Sequence, residues 1–168
     1  VESYLPEIFY RCGEDKAAYA EILALSDPAK NRREYPEVPF ALVGAVATGL
    51  MGIEPDARTR TVSTRSRLPA DTGWVELRDV PVFDGIVNVR HEGQRKTAFA
   101  VLSGEKIEWR AVFDGLWDEL CVDGVSRKAL QGRDEAGRPV SWVTVKLAAG
   151  ERAVVAASSR PETPKLLR

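Results

Sequence analysis

The most reactive side chains of this chain are two cysteines and one histidine, and their spacing decides whether they could hold a metal. Cys12 and Cys121 lie far apart in the sequence, and neither has a second cysteine or histidine nearby. Zinc sites use such ligands in short, paired spacings, so these residues do not predict one. His91 precedes a Glu-Gly pair, a pattern typical of an ordinary histidine beside a turn. We therefore expect no metal and no cofactor.

Two tryptophans alternate with polar residues in strand-like segments, which places their rings on outward faces. Trp74 shares a face with Glu76 and Arg78, and Trp142 shares one with Thr144. An exposed tryptophan can stack on the apolar face of a sugar ring, so both are candidate substrate-binding residues for a carbohydrate. The alternative is that both rings pack against a neighbouring domain, because protein interfaces are rich in aromatic residues.

Charge is nearly balanced along the chain. Its 168 residues carry 24 Lys and Arg against 25 Asp and Glu, which leaves a net charge of −1 without a basic patch or an acidic tail. A nucleic-acid partner is therefore not expected. One short loop gathers Lys30, Arg32 and Arg33 beside Glu34 and Glu37, and this balance indicates a solvated surface loop.

Residues 38–53, VPFALVGAVATGLMGI, form the one long apolar run, and the rest of the chain is organised around it. A helix without a polar face must be buried on all sides. Gly44 and Gly49 lower its helix propensity and suit positions where neighbouring backbones approach closely. Pro39 suits the first turn, and Gly52 suits the residue that ends the helix. A membrane span needs about 20 apolar residues, so this shorter run predicts a buried helix and no membrane partner.

The hydrophobic period changes after this run. Residues 3–25 place apolar side chains at helical spacing, and residues 39–52 continue as a helix. From residue 59 onward, short alternating segments are separated by glycines, including three Asp-Gly pairs of the kind found in hairpins. This pattern predicts an α+β chain, with short N-terminal helices followed by an antiparallel, jelly-roll-like β-sandwich. The expected strands are 61–67, 74–80, 86–91, 95–102, 106–113, 118–122, 140–148 and 151–157.

The same pattern divides the chain into three parts. We expect a helical unit over residues 1–57, a β-sandwich over 58–160 and a tail over 161–168. Alternation also assigns the faces of individual strands. Trp109 shares a face with Ile107 and alternates with charged residues, so it is expected in the core of the sandwich.

Residues 49–56, Gly-Leu-Met-Gly-Ile-Glu-Pro-Asp, carry a family resemblance. A Gly- and Ala-rich final helix that ends in G-I-x-P-D, followed at once by a β-domain, resembles the C-terminal end of six-hairpin glycosidases. These are glycoside hydrolases with an (α/α)6 barrel, such as the bacterial α-L-rhamnosidase and trehalase-like groups. Residues 85–104, GIVNVRHEGQRKTAFAVLSG, are similar to their C-terminal β-sandwich. The resemblance covers most of the chain and implies that it supplies the last helical hairpin and the sandwich of a longer enzyme.

The resemblance also implies where substrate would bind. Glu34-Tyr35-Pro36 is similar to a Glu-Tyr-Pro segment near the last helix of the trehalase-like group, on the loop that opens at the barrel mouth. This implies that Glu34 or Glu37 is a catalytic base or sugar contact and that Tyr35 binds substrate. Such enzymes use two carboxylates that flank the scissile bond, and no partner acid is identifiable in this chain. The alternative is that both glutamates solvate the loop and stabilise the N-terminus of the next helix.

Three functions compete on these observations. The first is the C-terminal segment of a glycoside hydrolase, which completes a catalytic barrel and is inactive alone. The second is an autonomous carbohydrate-binding module, and the third is a structural or interaction β-domain. The apolar run favours the first, because a free-standing module has no use for a helix that is apolar on every side. The expected partners are a carbohydrate and either the remaining barrel or a second copy of the chain.

Overall fold

The computed structural model describes residues 2–30 and 37–157. Helices form the N-terminal part of the chain, as the spacing over residues 3–25 predicted. Gly13 separates the first two helices with a φ of 81°, a left-handed conformation that glycine adopts without strain. A third helix begins at Glu37 and continues directly into a π-helix. The helical elements are the 3-10 turns Glu2–Tyr4 and Pro28–Lys30, α1 at Leu5–Cys12, α2 at Asp15–Ser26, α3 at Glu37–Gly44 and the π-helix Ala45–Leu50.

The strands form two sheets, which confirms the predicted α+β class and its β-sandwich. The strands are β1 Glu54–Asp56, β2 Thr61–Arg65, β3 Trp74–Val82, β4 Gly85–Glu92, β5 Lys96–Ser103, β6 Ile107–Asp114, β7 Glu119–Val122, β8 Val125–Lys128, β9 Leu130–Arg133, β10 Pro139–Leu147 and β11 Arg152–Ala156. The five-stranded sheet has the order β1-β2-β6-β10-β9, and the six-stranded sheet has the order β3-β4-β5-β11-β7-β8. The five-stranded sheet is mixed, because β2 runs parallel to β6.

Three strands escaped sequence prediction, and each lies at the edge of a sheet. They are β1 and β9 at the two edges of the five-stranded sheet and β8 at one edge of the six-stranded sheet. The side chains of β8 are exposed along its whole length, and those of β9 are nearly so. Edge strands of this kind contribute little to a core and therefore lack the apolar alternation on which the prediction depends.

The core between the two sheets is centred on Trp109, which is fully buried as its alternation predicted. Its ring stacks on Phe99 of the opposite sheet, with centroids 5.1 Å apart and the planes 13° from parallel. The indole Nε1–H donates a hydrogen bond of 2.8 Å to the Thr64 hydroxyl, so the buried ring has a partner for its polar atom. This contact joins β2 and β6 inside the sandwich.

The helical unit joins the sandwich through the end of the π-helix. The amides of Arg65 and Arg67 donate to the carbonyls of Met51 and Leu50, over 3.3 and 3.1 Å respectively. Gly52 has φ of +55°, and a Cβ atom at this position would lie 2.9 Å from the amide nitrogen of Arg65. Only glycine allows this close approach of two backbones. Met51 also packs in the core of the sandwich, whereas Leu50 packs in the separate cluster of the helices.

The apolar run is buried in its second half and exposed in its first half. Leu50 and Met51 are buried, whereas α3 contains no buried side chain. Phe40 is 76 % exposed and Val43 is 67 % exposed. Within the described residues only its Leu42 side packs against the helical cluster, so these residues do not supply the cover that an apolar helix requires. No helix in residues 2–30 and 37–157 is long and apolar enough to cross a membrane.

His91 lies near the end of β4, beside the turn as the sequence indicated, and it is fully buried. Its Nε2 lies 2.9 Å from the Met51 carbonyl, which can only accept, so Nε2 carries the proton. Nδ1 then accepts from the Thr97 hydroxyl over 2.8 Å. Burial lowers the pKa of His91 to about 4, while the Met51 hydrogen bond acts in the opposite direction. At neutral pH this histidine is an uncharged link between the π-helix and the six-stranded sheet.

Candidate functional site

The predicted acidic site is only partly within the described residues. Glu34 and Tyr35 lie outside residues 2–30 and 37–157, so their implied roles stay predictions. Glu37 is the first residue of α3 and is exposed. A carboxylate at this position is favoured by the helix dipole whether or not it also contacts a substrate.

The two candidate tryptophans lie in different sheets. Trp74 opens β3 and is 57 % exposed, and the guanidinium of Arg90 lies over its ring at 4.2 Å from the centroid. That cation–π contact covers one face of Trp74 and leaves at most the other face for a sugar. Trp142 is half-buried on β10, with Arg110 at 5.7 Å from its ring centroid and Gly132 against the ring edge. The structure therefore does not place the two rings in one stacking surface.

Trp142 lines a cleft of about 660 Å³, which is bounded by α1, the end of the π-helix and the outward face of the five-stranded sheet. Alternation along β2, β6 and β10 turns one set of side chains towards this cleft and the other towards the core. The set that faces the cleft is polar on β2, mixed on β6 and consists of Val140 and Trp142 on β10. The β9–β10 turn forms a further wall. We call it the arginine cleft after the arginines that line it, Arg11, Arg65, Arg67, Arg110, Arg133 and Arg138.

A network of ion pairs crosses the floor of the arginine cleft. The Arg65 side chain is only 8 % exposed and donates from Nε to Asp114 over 2.7 Å and from Nη1 to Asp134 over 2.8 Å. Arg138 donates to Asp134 as well, from Nε over 2.8 Å and from its backbone amide over 2.7 Å. Arg138 Nη1 then reaches the Gly13 carbonyl at 3.2 Å. The network therefore ties two strands and the β9–β10 turn to the loop between α1 and α2.

The pKa values of the acids in this network follow from its contacts. Burial raises the pKa of Asp134, but the hydrogen bonds from Arg65 and Arg138 outweigh it and bring the value down to about 2. Burial also raises the pKa of Asp15, and Arg138 at 3.4 Å only partly offsets this effect. Asp134 is thus the permanently charged centre of the network at neutral pH.

Arg67 has a different environment from Arg65. Its Nη1 donates to the Tyr10 carbonyl at a long 3.4 Å, and its guanidinium lies 5.8 Å from the Tyr10 ring centroid. Its Nε is buried and has no hydrogen-bond partner among the described residues. Burial lowers the pKa of Arg67, the neighbouring charge of Arg65 lowers it further, and Asp15 and Glu54 partly compensate. No carboxylate of residues 2–30 and 37–157 forms an ion pair with it.

Sequence reasoning did not single out these arginines, although a signal was present. In the predicted strand 61–67, Arg65 and Arg67 are two residues apart, so they share the outward face with Ser63. A face that carries two arginines beside a buried helix indicates a charged site rather than plain solvation. The partners of Arg65 come from distant positions of the chain, and local spacing cannot reveal them.

The arginine cleft can bind and orient an anion, but its arginines and Asp134 are poorly suited to proton transfer. Arginine stays protonated in proteins, and the low pKa of Asp134 keeps that carboxylate ionised at neutral pH. Neither group alternates between acid and base near pH 7.

Comparison of the chain with protein-family models and with curated proteins gives no match in either case.

Proposed function

We propose that this chain is the C-terminal part of a glycoside hydrolase and that its helical unit completes a catalytic barrel formed by other residues of the same enzyme. The observation that supports this proposal is the uncovered apolar surface of α3, in which Phe40 and Val43 are mostly exposed. Exposed apolar patches on folded proteins mark interaction surfaces. A helix that is apolar on every side requires cover on every side, and further barrel helices would provide it.

The joint between the helical unit and the sandwich supports the same proposal. Main-chain hydrogen bonds to Leu50 and Met51, together with the close contact at Gly52, hold the end of the π-helix against β2. An arrangement of this kind lets the sandwich orient the helix that precedes it. The sandwich would thereby fix the orientation of α3 relative to the rest of the barrel.

The proposed chemistry requires groups from both parts of the enzyme. Glu34 or Glu37 would act as base or sugar contact at the N-terminal end of α3, with Tyr35 as a neighbouring sugar contact. Cleavage also needs an acid that protonates the leaving oxygen from the other side of the bond. The missing barrel would supply that acid. Under this proposal the sugar contacts of Trp74 and Trp142 are secondary, because Arg90 and Arg110 lie against their rings.

The experiment is to measure association of this chain with the polypeptide encoded upstream of it in the same gene. Replacing both Phe40 and Val43 with glutamate puts two charges into the proposed interface. Since buried interface anchors contribute about 2 kcal/mol or more, we expect affinity to fall by a factor of about thirty or more. Sedimentation velocity over a concentration series gives the dissociation constant.

A matched control introduces the same two glutamates at exposed apolar positions outside α3. Leu116 and Leu130 are exposed apolar residues like Phe40 and Val43, with exposed fractions of 66 % and 59 %. Leu130 is the first residue of the edge strand β9. Glutamate at both of these positions should leave the affinity unchanged. In the absence of a partner, the wild-type chain should bind a hydrophobic dye or self-associate, and the Phe40 and Val43 double variant should not. If both double variants bound the upstream polypeptide as tightly as wild type, α3 would not be the docking surface.

A further inference from the structure

Arg67 is a partly desolvated cation that forms no ion pair in the described part of the chain, although Asp15 and Glu54 lie close enough to offset part of its burial. Removing a guanidinium from water without an ion-pair partner is unfavourable, and the same protein pairs Arg65 with two carboxylates at short distance. A partly buried arginine without an ion pair, next to one with two ion pairs, is unfavourable for the folded state. It is explained if a ligand provides the missing negative charge.

The charges around the arginine cleft favour an anion. Six arginines line it against four carboxylates, which are those of Glu7, Glu54, Asp134 and Glu135. Arg65 and Arg138 are neutralised by Asp134 and by acids behind the cleft. Arg110 and Arg133 form no ion pair with the acids of residues 2–30 and 37–157, as Arg67 does not. Three arginines of the cleft therefore have no ion-pair partner among the described residues, although Arg133 also donates to the Gly137 carbonyl over 2.6 Å.

We propose that the arginine cleft binds a small carboxylic acid, whose carboxylate is held by Arg67 and whose body lies beside Trp142. Guanidinium groups bind planar carboxylates through paired hydrogen bonds, which suits this anion better than a spherical one. The volume of about 660 Å³ accommodates a molecule of monosaccharide size. Arg110 lies over one face of the Trp142 ring and leaves at most the other face as an apolar surface for such a molecule.

This site does not depend on the proposed glycoside hydrolase. The arginines and Trp142 on which the proposal depends belong to this chain, so the 168-residue protein alone should bind the ligand. Failure of α3 to dock onto a barrel would leave the proposal intact. Failure of the cleft to bind a carboxylate would likewise leave the docking proposal intact.

The test compares D-glucuronate with D-glucose, which share a pyranose ring and differ in one carboxylate. We expect glucuronate, at about ten times its dissociation constant and at constant ionic strength, to raise the Tm by roughly 3 to 5 °C. Glucose at the same concentration should not change the Tm. Isothermal titration calorimetry should give a dissociation constant for glucuronate of about 1 mM or below.

Arg67→Met is the decisive variant. It removes the unpaired charge and keeps much of the apolar stem, so the Tm of the ligand-free chain should stay the same or rise, while affinity for glucuronate falls about tenfold or more. Arg110→Gln changes an exposed side chain and should also weaken glucuronate binding without a change in Tm. Arg152→Met on the opposite sheet makes the same change in net charge and should bind glucuronate as wild type does.

Three results would overturn the proposal. The first is an equal response to glucuronate and glucose, which would show that the carboxylate is not recognised. The second is unchanged glucuronate affinity in both Arg67→Met and Arg110→Gln. The third is the absence of any heat or Tm shift with wild type at about 20 mM glucuronate, well above the expected dissociation constant.

Discussion

Gly49→Ala is expected to destabilise the chain by about 3 kcal/mol, because the new methyl group enters occupied space. A Cβ atom at Gly49 would lie 2.8 Å from Cε2 of Tyr10 and closer still to Cδ2 of the same ring. Tyr10 is almost completely buried between the helices, so its ring cannot move aside without opening that cluster. Urea unfolding followed by tryptophan fluorescence measures the loss in free energy.

Gly44→Ala is the matched control in the same apolar run. No atom lies within 4 Å of a Cβ atom placed at Gly44, so the methyl group meets open space. Alanine also has a higher helix propensity than glycine, and this variant should gain up to about 1 kcal/mol. If the two variants unfolded at the same urea concentration, the packing of the π-helix against Tyr10 would be wrong.

Asp134→Ala is expected to cost about 3 kcal/mol at neutral pH, because it leaves a buried arginine with half of its partners. Arg65 would retain Asp114 only, and Arg138 would lose hydrogen bonds from both its side chain and its backbone amide. The turn between β9 and β10 would then lose its tie to the loop after α1. Chemical unfolding at pH 7 tests the size of the effect.

The pH dependence of this effect has a definite sign. The folded pKa of Asp134 is about 2, below the ordinary 3.8, so its contribution to stability is present above pH 4 and is lost as the pH falls towards 2. The difference in unfolding free energy between wild type and Asp134→Ala should shrink over that range. Asp56→Ala, which removes an ion pair with the exposed Arg58, should cost far less than Asp134→Ala, because solvent screens exposed pairs. Equal stabilities of the Asp134→Ala and Asp56→Ala variants at pH 7 would contradict the role assigned to the Asp134 network.

The sequence predicted the parts of the fold that depend on local pattern. Alternation in β6 placed Trp109 in the core, and the glycine at 52 was expected where the helix ends. Edge strands such as β8 were missed because their side chains contact no core. The parallel pairing of β2 with β6 joins segments far apart in the chain, and no local period encodes such a pair.

The candidate site was less accessible to sequence reasoning than the fold. The buried His91 hydrogen-bonds the carbonyl of Met51, which lies 40 positions earlier in the chain. The link between Arg65 and Asp134 spans 69 positions, and the one between Arg138 and Gly13 spans 125. The first of these contacts joins two parts of the sandwich, and the second joins the sandwich to the helical unit. Residue type could indicate that arginines were present on an outward face, but only the fold brings them into one cleft.

The exposed face of α3 and the lack of a second acid together lead to the central claim that this chain completes a glycoside hydrolase. The most direct measurement is the rate of aryl-glycoside hydrolysis by this chain alone, by the polypeptide encoded upstream, and by the two together. The account predicts no turnover by the 168-residue chain and turnover when both are combined. Hydrolysis by this chain alone, or an inactive complex of the two folded polypeptides across a panel of aryl glycosides, would contradict it.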